Sequence, residues 1–231
     1  MNIAGLDLSK VHYGMCFLKN DNSIDYTFTC SSKTLIKKAK DDGFLCHYIE
    51  SYDWYKKNIS NNPHSYTAYL AKKMYWFINR DIIHNLIGKM DKSVCIEGYA
   101  YGASGQLTQI AEITGVIKKL LTDINCKIRI HDAKSIKMWA TGNGNADKDA
   151  MLKAACKFIS IPDYIKKHTI AYDIADSYFL MDILRKELQV REKPSLLDTL
   201  SLKKKQIFNR VTKANPVNLL DRDWIERENK C

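Results

Sequence analysis

Residues 1–30 set the strongest limit on the fold. Two short apolar runs, Ile3-Ala4-Gly5-Leu6-Asp7-Leu8 and Gly14-Met15-Cys16-Phe17-Leu18, are followed by the turn-forming Asn20-Asp21-Asn22-Ser23, the pattern of a paired-strand opening. Residues 31–64 are polar and show no assignable period. Apolar residues then recur at helical spacing at Tyr66, Leu70, Met74, Phe77 and Ile78, which predicts a helix over 66–86 capped by Gly88. Residues 93–97 read as a strand, 107–121 as a helix (Leu107, Ile110, Ile113, Ile117, Leu120), and 126–130 as a short strand. A helix over 133–140 breaks at Thr141-Gly142-Asn143-Gly144-Asn145. Asn145 or Asp147 then caps a helix running to about Phe158, Pro162 marks a break, and 172–188 forms a long amphipathic helix. Strands first, with helices alternating later, imply an α/β layer fold with a mixed sheet.

At 231 residues the chain is most economically one domain with decorations. Lys and Arg total 36 against 26 Asp and Glu, a net charge of +10, which points to a polyanionic partner such as nucleic acid, or to an anionic surface. Over 185–231 there are 12 basic and 7 acidic residues, so 191–231 reads as a basic C-terminal arm on a domain spanning 1–190. No apolar run approaches the roughly 18 residues that cross a bilayer, and Met1-Asn2 does not start a secretory signal. The seven cysteines are scattered without a C-x-x-C pair, which argues against a disulfide framework or a zinc site. The expectation is a soluble, intracellular, cytoplasmic protein with no membrane partner.

Acidic residues stand out where the surroundings are apolar. Asp7 lies inside an apolar strand, Glu97 ends another (Val94-Cys95-Ile96-Glu97), and Asp173 and Asp176 share one face at the start of a helix. Taken singly, each is more often structural: a backbone acceptor, a solvated strand end, a helix N-terminal preference. Taken together, four converging carboxylates repel one another unless divalent cations neutralise them. All-oxygen ligation suits Mg²⁺ or Mn²⁺. An acidic metal-binding cleft in a basic protein fits a nuclease.

The order of these motifs resembles the RuvC family of Holliday junction resolvases, in the ribonuclease H-like superfamily. The matching segments are Ile3-Ala4-Gly5-Leu6-Asp7-Leu8-Ser9 followed by Gly14; Cys95-Ile96-Glu97; Gly115-Val116-Ile117; Ala133-Lys134-Ser135-Ile136-Lys137; Gly142-Asn143-Gly144-Asn145-Ala146-Asp147-Lys148; and Asp173-Ile174-Ala175-Asp176-Ser177. They cover residues 1–20 and about 90–185. The resemblance implies a ribonuclease H-like mixed central sheet flanked by helices, with an insertion at about 31–64 and a basic C-terminal extension. It places the family's acidic tetrad on Asp7, Glu97, Asp173 and Asp176, and its basic flanking positions on Lys137 and Lys148. It further implies two Mg²⁺ ions about 3.5–4 Å apart, replaceable by Mn²⁺, with Lys148 at the scissile phosphate. The expected substrate is a four-way DNA junction, cut by a homodimer into paired nicks with 5′-phosphate ends. The family's aromatic position after the strand-end glutamate falls on Ala100, between Tyr99 and Tyr101. This departure marks a divergent member and leaves base stacking by those tyrosines an expectation.

Other features read two ways. The 142–145 run suits a phosphate-hugging loop or a turn with a helix cap. Tyr99 and Tyr101 suit base stacking or packing on the sheet, and Trp76 and Trp139 fall in helical periodicity as core residues. Lys203, Lys204, Lys205 and Arg210 are candidates for DNA-backbone contact; a solvated arm is the blander alternative. Three rival classes fit the sequence less well. An actin-like or sugar-kinase-like ATPase lacks support because Ser9-Lys10-Val11-His12-Tyr13 is too bulky for a phosphate loop. A RuvC-like transposase of the Asp-Glu-Asp-Asp type needs a longer C-terminal domain. A non-catalytic junction-binding protein fits poorly with an intact tetrad.

Overall fold

The computed structural model describes residues 2–9, 11–19, 21–86, 92–98 and 107–214; Gly88, expected to cap a helix, lies outside them. Six strands form one sheet: β1 (Ile3–Leu8), β2 (Tyr13–Leu18), β3 (Ile24–Cys30), β4 (Cys46–Tyr48), β5 (Lys92–Glu97) and β6 (Cys126–His131), in the order β4-β3-β2-β1-β5-β6. Strand β2 runs antiparallel to β1 and β3, whereas β1–β5, β5–β6 and β3–β4 pair in parallel. This is the mixed α/β sheet expected from the motifs.

Local chemistry makes the two opening turns. Ser9 closes the first, its N–H donating to the His12 carbonyl at 3.0 Å and its Oγ accepting from the His12 N–H at 3.0 Å. The second is closed by Asn22 in the left-handed region (φ 64°) and by the Lys19 N–H donating to Ser23 O at 2.9 Å, a conformation asparagine tolerates better than most residues.

Both faces of the sheet are covered, which is why β1 reads as near-continuous apolar sequence rather than alternating. On one face Ala4, Leu6, Met15, Phe17, Val94 and Ile96 pack against α2 (Tyr52–Asn58), α3 (Pro63–Leu86) and α4 (Leu107–Asp123). On the other, Ile3, Cys16, Phe28 and Cys95 pack against a layer built on α8 (Ile170–Glu192). That layer also contains α1 (Lys33–Asp41), α5 (Ala133–Thr141), α6 (Lys148–Ala155), α7 (Asp163–Lys166) and α9 (Leu202–Ala214). Pro162 stands at the N-terminal boundary of α7, the break its ring predicts.

Three details depart from the sequence reading or complete it. Residues 31–64 hold α1, the edge strand β4 and α2, and β4 adds a strand parallel to β3 at the edge of the sheet. Trp76 is not core: it is 62% exposed. The buried stripe of α3 runs Tyr66, Leu70, Met74, Ile78, Ile82, and two residues at about 100° each put Trp76 on the opposite side from Met74. Trp139 is buried as expected, its indole N–H donating to Asp182 Oδ2 at 2.9 Å. In the basic C-terminal segment, α9 puts Phe208 and Val211 into the α8-side core, Phe208 edge-on to Trp139.

Candidate active site

The site is assembled at the end of the sheet where β1 and β5 finish. Asp7 is the penultimate residue of β1 and Glu97 the last of β5; Leu6 pairs with Ile96, so Asp7 and Glu97 follow side by side on adjacent parallel strands. Across the other edge of β1, Asp7 is in register with Gly14. A Cβ on Gly14 would lie 2.5 Å from the backbone carbonyl of Asp173, and one on Gly5 would lie 2.0 Å from the carbonyl oxygen of Ser177. These two glycines, on neighbouring strands, form the groove in which the first half of α8 rests. Without side chains there, the helix backbone approaches the sheet directly and delivers Asp173 and Asp176 beside Asp7. The Ser177 hydroxyl donates to Ile174 O at 2.8 Å and lies 3.2 Å from Cys16 Sγ, adding a polar stitch beneath the site.

The carboxyls feel one another. Burial lifts the Asp7 pKa well above the carboxylate range, and the charges of Glu97, Asp173 and Asp176 lift it further, with Lys148 opposing. Burial and then Asp176 raise Glu97 to about 7, partly offset by Lys137. Asp173 is pushed up to about 7 and Asp176 to about 6, in both cases chiefly by burial and against the pull of Lys148. All four predicted acids therefore occupy one electrostatic neighbourhood with both predicted lysines. Among the described residues, no three His, Cys, Asp or Glu side chains stand close enough to grip a single ion. The donor chemistry fits a hard divalent cation.

Lys148 is the first residue of α6, behind the Asp147 cap that accepts the Ala150 N–H at 2.7 Å. It is exposed, and its ammonium lies 5.5 Å from the centroid of Tyr172. Lys137 is half-buried on α5. The 142–145 run is accounted for by local structure: Gly142 ends α5 in the left-handed region (φ 80°), Asn143 Oδ1 accepts from the Asn145 N–H at 3.0 Å, and α6 begins after Asp147. Tyr99 and Tyr101 lie outside the described residues.

The three consecutive lysines differ. Lys204 donates to the Trp139 carbonyl at 2.5 Å and sits 3.6 Å from that ring's centroid, and burial lowers its pKa; it fastens α9 to α5. Lys205 pairs with Asp198 at 2.6 Å. Lys203 is exposed and lies alongside Gly142.

A buried ion cluster escaped the sequence reading. Arg129 and His131 on β6 meet Glu187 of α8, with Arg129 Nη2 2.7 Å and His131 Nε2 3.2 Å from Glu187 Oε1. Burial alone would raise the Glu187 carboxyl, but the nearby His131 and Arg129 outweigh it and hold it below its ordinary value. The cluster ties the second half of α8 to the sheet about three turns past Asp176. Its signal was Arg129 within the apolar Ile128-Arg129-Ile130.

No protein-family model matches the chain, and no curated protein matches it. Among solved structures it is similar to RuvC of Thermus thermophilus, at 12% identity over 78% of this chain and 94% of that one, with a TM-score of 0.44. It is similar to T. thermophilus RuvC in complex with Holliday junction substrate, at 10% identity over 77% and 90% of the two chains, with a TM-score of 0.48. It is also similar to the yeast mitochondrial Holliday junction resolvase Ydc2, at 14% identity over 78% and 75%, with a TM-score of 0.41.

Proposed function

We propose that this chain is a crossover junction endodeoxyribonuclease, a structure-selective enzyme that resolves four-way or other branched DNA by metal-assisted phosphodiester hydrolysis and leaves 5′-phosphate nicks. The observation that carries the reading is the gathering of Asp7, Glu97, Asp173 and Asp176 at one end of the sheet, close enough to raise one another's pKa or to share the same lysines.

Oxygen-only donors in that field favour Mg²⁺, with Mn²⁺ as a substitute. Asp7, on the central strand, would be the most rigidly held ligand of such a metal, with Glu97 and Asp176 beside it and Asp173 as a ligand or an orienter. When bound, such a pair of ions supplies Lewis acidity at the attacking water and at the leaving 3′-oxygen. The protein's own part is positional. Strands β1 and β5 hold two carboxylates side by side, and α8, seated on Gly5 and Gly14, holds the other two. Lys148 and Lys137 approach the tetrad from α6 and α5 and are placed to hold a phosphate over it and to offset charge as the bond breaks. The net charge of +10 draws DNA to the surface. The family resemblance adds a homodimer that nicks opposing strands symmetrically.

The test is incubation with Mg²⁺ and synthetic four-way, forked and linear DNAs. Paired nicks in the four-way junction are expected, with Asp7→Asn abolishing cleavage while junction binding persists. Cleavage retained by Asp7→Asn would overturn the tetrad assignment.

A further inference from the structure

Residues 31–64 carry a helix whose lysines form no ion pair among the described residues. Ser32 caps α1 by accepting the Leu35 N–H at 3.2 Å, and Leu35, Ile36 and Ala39 enter the core shared with α8. That burial leaves Lys33, Lys37 and Lys40 exposed at spacings of four and three, one stripe of the helix that ends at the exposed Asp41, while Lys38 beside them lies 4.4 Å from the Tyr164 ring centroid. Among the described residues none of the four lies within ion-pairing distance of a carboxylate, in contrast to Lys19, Lys119, Lys166 and Lys205, each of which has an aspartate partner. Lys33 also sits in the first turn of α1, which has no acidic residue. A cation there opposes the helix dipole, so helix stability does not explain it. Its ammonium lies 5.3 Å from the ring centroid of Tyr48, the last residue of the inserted strand.

The stripe starts at the catalytic end of the molecule. Asp7 is in register with Gly14, and Gly14 with Phe28. Strand β3 points the same way as β1 and ends at Cys30, two residues beyond that row, where the chain turns into α1. Two strand spacings place this point roughly 10 Å to one side of Asp7. From Lys33 to Lys40 the helix rises about 10 Å, the length of about three base pairs of duplex, each carrying two phosphates. The helix lies on the face of the sheet that also carries α8 and both lysine-bearing helices α5 and α6.

We infer that α1 is a second phosphate-binding strip, on which Lys33, Lys37 and Lys40 hold a duplex arm of the branched DNA beside the catalytic end. This rests on the proposed nuclease reading and gives the insertion its task.

The test is equilibrium binding of the full chain to a labelled four-way junction in EDTA over a range of salt concentrations. The substitutions Lys33→Ala, Lys37→Ala and Lys40→Ala are combined, and Lys72→Ala on α3 at the opposite face is the control. The triple variant should bind more weakly, and its plot of log affinity against log salt should become shallower by about 2–3, close to one per lost contact. Arginine at the three positions should restore the slope, and Lys72→Ala should leave it unchanged. Should the triple variant melt early, Lys37→Ala alone decides by a slope change of about one. Wild-type affinity and slope in the triple variant would overturn the inference and leave α1 as a solvated face or a contact for an acidic protein. A wild-type chain that binds no junction at all would defeat the nuclease reading with it. One that binds and cleaves, with an unaltered triple variant, would defeat this inference alone.

Discussion

Asp7 occupies a position where a carboxylate is costly, and the cost has a measurable sign. Burial and three like charges hold its proton more tightly in the folded chain than in the unfolded one, and the same holds for Glu97, Asp173 and Asp176 at about 7, 7 and 6. A carboxyl raised in this way stabilises the fold fully below its unfolded pKa near 4, and the contribution drains away as pH rises through the folded values. In EDTA the thermal midpoint should therefore fall between pH 5 and pH 8, and Asp7→Asn should raise it at pH 8 by a few degrees, on the scale of about 1–2 kcal/mol. Equal midpoints for wild type and variant at pH 8 would show that the tetrad carries no repulsion. Glu187 works in the opposite sense: its depressed pKa contributes stability above about pH 4 that is lost on acidification, which is why the window for the tetrad opens at pH 5.

Among the elements, α8 decides whether there is a site. It brings two of the four acids, and its seat is two missing side chains. Gly14→Ala would put a methyl 2.5 Å from the Asp173 backbone, so the helix must lift, and displacements near 1 Å can cost about 10²-fold in rate. The expected result is cleavage reduced about 100-fold with helix content retained by circular dichroism; full activity would mean that α8 has slack there. Such a seat is not legible in one sequence, because a glycine in a strand does not name the helix that needs it. The acids were legible, since a charge in an apolar run is costly anywhere and Asp173 and Asp176 share a helix face by spacing alone. The structure inside residues 31–64 was not: β4 is three residues long, Cys46-His47-Tyr48, and gains its pairing from β3 rather than from its own pattern. Helix α9 was hidden in a different way, its two core residues Phe208 and Val211 lying among Lys203, Lys204, Lys205, Arg210 and Lys213. Phe208→Ala should cost about 3–5 kcal/mol of stability, read by denaturant unfolding; a near-neutral result would return α9 to the status of a loose arm.

At the scale of the whole molecule, the four acids belong to β1, β5 and α8, which are joined by the fold and not by the sequence. An unfolded chain cannot present them together, so cation binding at the tetrad must appear as folding stability. A ligand that binds only the native state stabilises by about 2.7 kcal/mol at a hundredfold excess over its Kd, and in a chain of this length that is a rise in thermal midpoint of roughly 5–10 °C. Titration with Mg²⁺ or Mn²⁺ at pH 8 should show it, and should show it more strongly than at pH 5, where protons compete for the same oxygens. The Asp7→Asn variant, already relieved of one charge, should start higher and respond less. This pairing separates specific ligation from general screening: monovalent salt at matched ionic strength also softens repulsion between carboxylates, but cannot bridge them. A wild-type midpoint that moves equally with Na⁺ and Mg²⁺ at matched ionic strength would leave four aspartate and glutamate side chains that merely tolerate one another.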